Sequence, residues 1–173
     1  MRHQAYRPAI DVGSIGEGAI GRLRGRLAEL LGLLKTDTAV LLRRTASGDF
    51  QVVAAAGTAP LPSEGDVVPG GENSVCGYAA VQQGAVVFEN VPATSRFSGA
   101  TMATKFGAVS SAAVALRHLD TVPGVLSVHS RTARSFTAAD VSDVEAASEG
   151  LVLSLALLDA GAGADHAFAA RRA

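Results

Sequence analysis

Two stripes of helical spacing stand near the two ends of this chain, and every β-like run lies between them. Ile20, Leu23, Leu27, Leu30 and Leu34 recur at alternating intervals of three and four residues, and so do Val141, Val144, Ser148, Leu151, Leu155 and Leu158. That spacing lines one face of an α-helix, which has to be buried against a partner surface. The intervening segment must therefore offer an apolar face large enough to receive two helices.

Its composition predicts a sheet. Thr38–Arg44 and Phe50–Ala56 are β-branched and apolar runs joined by Thr45-Ala-Ser-Gly-Asp49, so they are expected to pair as an antiparallel hairpin. Gly57 to Gly71, with Pro60, Pro62 and Pro69, reads as a loop. Ser74 then caps a helix over about Val75–Gln83, which Gly84 ends. Ala85–Glu89 is a third strand, Asn90–Gly99 an irregular stretch and Ala100–Phe106 a short helix. Ser111–Leu116 and Gly124–His129 complete the strands, separated by a connection that includes Asp120 and Pro123. Thr137 with Asp140 forms a capping box that opens the last helix, and Phe136 stands where a hydrophobic staple residue belongs. The expected fold is α+β: a central antiparallel sheet of about five to six strands with helices covering it. Residues 1–16 are expected to be a flexible segment, residues 17–158 the domain, and residues 159–173 a linker or tail, since Gly and Ala there carry no apolar period.

Bulk properties narrow the function. Fifteen Lys and Arg oppose 16 Asp and Glu, a formal charge of −1, which leaves no basic excess for a nucleic-acid backbone. The longest apolar stretch, Leu151–Leu158, is far shorter than the roughly 20 residues of a membrane-spanning helix. Cys76 stands alone, which excludes an internal disulfide and multi-cysteine metal sites and suits a reducing cytoplasm. Along Gly124–His129 strand alternation puts Val125, Ser127 and His129 on one face, and along Ser111–Leu116 it puts Ser111, Ala113 and Ala115 together. Small residues on a sheet face leave room either for a ligand or for a closely packed helix.

Three blocks in order carry a family likeness: Ser74-Val-Cys-Gly-Tyr-Ala-Ala with Gly84-Ala-Val-Val-Phe-Glu-Asn-Val91, then Thr94-Ser-Arg-Phe-Ser98, then Gly124-Val-Leu-Ser-Val-His-Ser-Arg131 with Ser135-Phe-Thr-Ala-Ala-Asp-Val141. Over about residues 17–158 the chain resembles a GAF domain. That resemblance implies terminal helices on one face of the sheet and, on the other, a ligand cavity roofed by the Ser74 helix and the loop near Phe97. It implies a non-catalytic sensor of an unknown small molecule, coupled to a signalling output domain or protein, with ligand contacts expected from Cys76, Tyr78, Phe88, Phe97, Phe106, Ser111, Ser127 and His129.

The chemistries of better-known relatives are not matched. Methionine sulfoxide reductases of this type use several cysteines where this chain has one. Bilin-binding relatives use a cysteine with a nearby histidine from the segment after the third strand, and residues 90–109 contain neither; haem-binding relatives take an axial histidine from the same region, and residues 85–117 have none. The cyclic-nucleotide signature keeps only Phe136 and Asp140, with Val141 in place of its Glu and no Asn-Lys pair. No cofactor or metal is expected. Two other readings stand beside the sensor: a dimerisation or scaffold module whose cavity is filled by its own side chains, and a redox domain using Cys76 with an external thiol. Apolar residues off the two stripes, Leu31 and Leu33 on the first helix and Val152, Leu153 and Leu157 on the last, predict a homodimer through these helices.

Overall fold

The computed structural model describes residues 12–97 and 101–170. Its elements in chain order are α1 (Val12–Leu34), β1 (Thr38–Arg44), β2 (Phe50–Gly57), β3 (Val67–Val68), α2 (Val75–Gln82), β4 (Ala85–Phe88), α3 (Met102–Lys105), β5 (Ser110–His118), β6 (Thr121–Ser130) and α4 (Ala138–Ala170). The six strands form one sheet in the order β3-β2-β1-β6-β5-β4, and every neighbouring pair is antiparallel. The first strand thus pairs with the last, which places β1 and β6 at the centre.

Alternation along these strands builds two cores. Ala39, Leu41, Ala112, Val114, Leu126 and Val128 face α1 and α4, where they meet Leu23, Leu27, Leu30, Val144, Leu151 and Leu155. Val40, Leu42, Ala113 and Val125 face the opposite way, under Val75, Cys76 and Ala79 of α2 and the buried ring of Phe97. α1 packs on β1 and β2, α4 on β5 and β6, and the two helices pack on each other. The stripes therefore found the surface they require, with Ser148 buried among the α4 positions.

Both helix caps form as expected. The Ser74 hydroxyl accepts from the Gly77 amide at 3.0 Å and donates to the Pro69 carbonyl at 3.2 Å. Thr137 N–H donates to Asp140 Oδ2 at 2.8 Å while Asp140 N–H donates to Thr137 Oγ1 at 3.1 Å, a reciprocal box that holds the Asp140 carboxyl below its ordinary pKa. Arg134 adds to that cap by pairing with Asp140 at 3.1 Å, and its guanidinium lies 4.6 Å from the Phe136 ring centroid.

Several boundaries differ from expectation. α1 begins at Val12 rather than near residue 20, because a helix nucleated by the buried Leu23–Leu34 segment extends at small cost per residue even through glycines. Residues 1–11 lie outside the described part. α2 ends on Gln83, which itself takes the left-handed conformation at φ 54°, and not on Gly84. The loop Gly57–Gly71 includes the short edge strand β3, paired with Phe50 and Gln51. β5 and β6 run on to His118 and from Thr121, so their connection is the tight turn at Leu119 and Asp120, and Pro123 sits inside β6. α4 continues to Ala170 where a linker was expected: alanine has the highest helix propensity, and the Ala-rich segment follows an already formed helix. Residues 98–100, including Ala100 of the expected short helix, are outside the described part.

Glycines of opposite meaning test this packing. An added Cβ at Gly124 would lie 2.2 Å from the Leu42 carbonyl oxygen and 2.8 Å from a Leu155 methyl, whereas at Gly25, on the outside of α1, it would meet nothing within 4 Å. We expect Gly124→Ala to destabilise the fold by about 1–3 kcal/mol and Gly25→Ala to stabilise it by about 0.5–1 kcal/mol, as measured by urea denaturation. Equal effects at the two positions would contradict the packing described.

Candidate functional site

The strongest departure from an apolar interior lies on the α2 side of the central strands. Ser111 on β5 and His129 on β6 stand directly opposite in the register, and Ser127 lies two residues along β6 on the same face. Ser111 Oγ is 2.6 Å from His129 Nδ1, and His129 Nε2 is 3.0 Å from Ser127 Oγ. All three are buried. Cys76, at the start of α2, closes the row next to Ser127.

Burial sets the ionisation of this row. Desolvation lowers the His129 pKa to about 4, so the ring is neutral at pH 7 and holds one N–H donor and one lone pair. One serine must donate to the ring and the other accept from it, and the row can be ordered in either direction. Burial also pushes the Cys76 thiol up to about 11, against a smaller opposing effect of the Ser127 hydroxyl. At neutral pH it is a protonated thiol, unlike the low-pKa cysteines of thiol enzymes.

An aromatic group adjoins the row where Phe88 stands opposite Ser111 in the register. Phe88 of β4 packs edge-on against Tyr78 of α2 at 5.8 Å between centroids and against Phe97 at 4.9 Å. Arg96 lies 4.2 Å over the Tyr78 ring and 4.0 Å from the Glu72 carboxylate. The loop bearing Phe97 is pinned where β4 ends: Asn90 Oδ1 accepts from the Ala93 amide at 3.1 Å, and Val91 N–H donates to the Val109 carbonyl at 2.7 Å. The loop before α2 can close against the helix because Gly77, next to Cys76, has no side chain; a Cβ there would be 1.8 Å from the Gly71 carbonyl oxygen.

All eight residues singled out from the sequence thus lie on one side of the sheet, in three groups. Cys76, Ser111, Ser127 and His129 form the buried row, Tyr78, Phe88 and Phe97 form the aromatic group, and Phe106 lines a cavity together with His129, Met102, Pro62, Asp37 and Arg131. That cavity measures about 10 Å³, room for a single water molecule at most. The small residues of β5 chiefly admit a helix: Ala113 and Ala79 are both fully buried in the core beneath α2. Asp37 and Arg131 at the cavity were missed from sequence. Arg131 was within reach of it, because alternation through Ser127 and His129 arrives next at position 131.

The buried histidine makes stability pH-dependent. An unfolded chain takes up a proton near pH 6.5 that the folded chain refuses until about pH 4. Stability is therefore complete above about pH 6.5 and falls by about 3 kcal/mol as pH drops toward 4. Asp49 and Asp140, whose pKa values are lowered, add their own loss in acid. The difference between the wild type and a His129→Gln variant, followed by denaturant unfolding from pH 7.5 to about 4, isolates the histidine. Parallel profiles would contradict its burial as a neutral ring.

Comparison with known proteins places this arrangement. No curated protein matches the chain. Solved structures do: the GAF domain of a phosphoenolpyruvate-protein phosphotransferase from Acinetobacter superposes with a TM-score of 0.71 at 16% identity, covering 88% of this chain and 92% of its own. The GAF-B domain of DevS from Mycobacterium smegmatis gives 0.63 at 20% identity, covering 84% and 96%. A type II free methionine-R-sulfoxide reductase from Thermoplasma acidophilum gives 0.66 at 14% identity, covering 82% and 94%. At such identities the likeness is one of fold, shared by GAF domains of other proteins and by an enzyme. The GAF domain family model matches residues 20–155, from the first buried turn of α1 to the last fully buried leucine of α4, and the chain belongs to the GAF domain family.

Proposed function

We propose that the protein is a regulatory sensor that takes up a small molecule between the sheet and its roof of α2, α3 and the Phe97 loop, and relays the event through α1 and α4. One observation carries the reading: the row Ser111–His129–Ser127 places three hydrogen-bonding side chains in the middle of a buried sheet face. A fold needing only a core would be served by apolar residues there, since buried polar groups gain little net stability. With His129 neutral and Cys76 protonated, the row suits an uncharged part of a ligand carrying both donors and acceptors. Binding would require the roof to move, because the present cavity of about 10 Å³ admits no metabolite. The proposed ligand contacts are the eight residues in the three groups above, within a sensory unit spanning about residues 17–158.

The filled cavity also favours a second reading, a dimerisation or scaffold module with no ligand. Thermal unfolding against a metabolite library, with co-purified compounds identified by mass spectrometry, separates the two. A ligand present at 100 times its Kd adds about 2.7 kcal/mol, which for a chain of this size raises Tm by roughly 5–10 °C. A library that leaves Tm unchanged favours the scaffold. The redox alternative has less support, since Cys76 is buried and its thiol is held protonated. Labelling by a thiol reagent at neutral pH is expected to be slow, and rapid labelling would revive that alternative.

Relay through the helices implies a second copy of the chain. Leu31 and Val152, expected to be exposed, are buried in the intramolecular core. Both belong to the core that α1 and α4 form with the sheet, so the chain itself covers them. Leu33, Leu153 and Leu157 remain 63%, 66% and 74% exposed, and the last two lie one turn apart on α4. A homodimer formed by these helices would cover them. Among the described residues no helix is long and apolar enough to cross a membrane, and a free buried thiol supports a reducing cytoplasmic location. Light scattering at micromolar concentration is expected to give about twice the 17.5 kDa chain mass, and Leu153→Glu with Leu157→Glu a folded monomer. A wild-type monomer would remove the dimer while leaving the sensor.

A further inference from the structure

The small cavity has a cation in its wall, Arg131. Arg131 follows β6 directly, and its backbone is fixed from below: Arg131 N–H donates to Asp37 Oδ2 at 2.8 Å, and Ser130 Oγ donates to the same oxygen at 3.2 Å. Its side chain runs beside Gly107, where a Cβ would lie 3.8 Å from Nε. The guanidinium then donates through Nη2 to two backbone carbonyls, Thr58 at 2.8 Å and Ala59 at 2.6 Å. Arg131 thus bridges the two walls of the cavity, the loop after β2 that carries Pro62 and the turn after α3 that carries Phe106 and Gly107.

What it lacks is a carboxylate. Arg24, Arg43, Arg96 and Arg134 each pair with an acidic side chain, whereas among the described residues the Arg131 side chain, like that of Arg26, bonds only backbone carbonyls. Asp37, the nearest acid described in the cavity wall, already accepts from Ser130 Oγ and the Arg131 backbone. A guanidinium bonds an ionised oxygen roughly twice as strongly as a neutral carbonyl, and its fork fits a carboxylate or phosphate with two parallel bonds. The neutral carbonyls of Thr58 and Ala59 are partners that an anion can replace.

We propose that Arg131 is an anion-recognising latch: the ligand carries a carboxylate or phosphate group that takes the Arg131 guanidinium from Thr58 and Ala59 and so frees the loop that closes the cavity. The assignment rests on the sensor reading and adds to it a ligand with an uncharged inner part and an anionic outer group. Exchange of partners at one side chain joins ligand recognition to opening. It also explains why the buried row needs no charge of its own.

Two small probes, inorganic phosphate and acetate, test the latch at constant ionic strength by amide NMR. Saturable shifts are expected at Thr58, Ala59, Gly107 and Arg131, and the probe that binds more tightly identifies the anionic group. Arg131→Gln should abolish saturation, and Arg131→Lys, which keeps the charge without the fork, should weaken binding about tenfold. Unchanged β5 and β6 resonances would confirm that both variants are folded. Linear, unsaturated shifts, or equal shifts in Arg131→Gln, would overturn the proposal. A library without any metabolite that raises Tm would remove the sensor reading and leave a saturable response at Arg131 intact, so the two failures are distinguishable.

Discussion

Everything in this fold depends on the pairing of its first strand with its last. β1 and β6 lie at the centre of the sheet, and their antiparallel register runs from Thr38 opposite His129 to Arg43 opposite Gly124. Because both strands are covered on both faces, each residue is committed to one of two cores, and a slip of one position would turn the polar Ser127 and His129 toward the helices. Gly124 marks how closely this centre is packed, with the Leu42 carbonyl and a Leu155 methyl filling the space of a side chain. The site and the helices are thus two sides of the same strand.

That geometry gives the proposed relay a physical route. Ser127 and His129 face the roof, while their neighbours Leu126 and Val128 face α1 and α4 in a core that includes Leu27, Leu151 and Leu155. A ligand that shifts β6 by a fraction of an ångström to reach the row moves the surface on which α4 rests. Packed cores respond to such shifts by repacking and not by gradual deformation. The exposed leucines of α1 and α4 lie on the outer side of the same helix pair, where a second copy would sense the change.

Local rules made much of this legible in the sequence. The two stripes, the Ser74 and Thr137 caps and the alternation on β5 and β6 are short-range signals, and each appears in the structure where its residues place it. The meeting of Ser111, Ser127 and His129 followed from alternation once the strands were assigned. What was not legible depends on distant contacts or on propensity without pattern. Leu31 and Val152 are covered within the core that α1, α4 and the sheet form together, which no single helix reveals. Helix α4 outlasts its stripe because alanine favours helix without any apolar period in the sequence. The role of Arg131 lies in carbonyls more than seventy residues away in sequence.

Ligand uptake of the kind proposed requires the roof to open as a layer over a fixed polar floor. Native-state hydrogen exchange as a function of denaturant measures this directly, since it resolves subglobal openings from complete unfolding. Amides of the roof, such as Tyr78, Lys105 and Phe106, should exchange through openings of lower free energy and weaker denaturant dependence than those of β1 and β6. Roof amides that exchange only with global unfolding, at the same free energy as the central strands, would show that the roof does not open on its own.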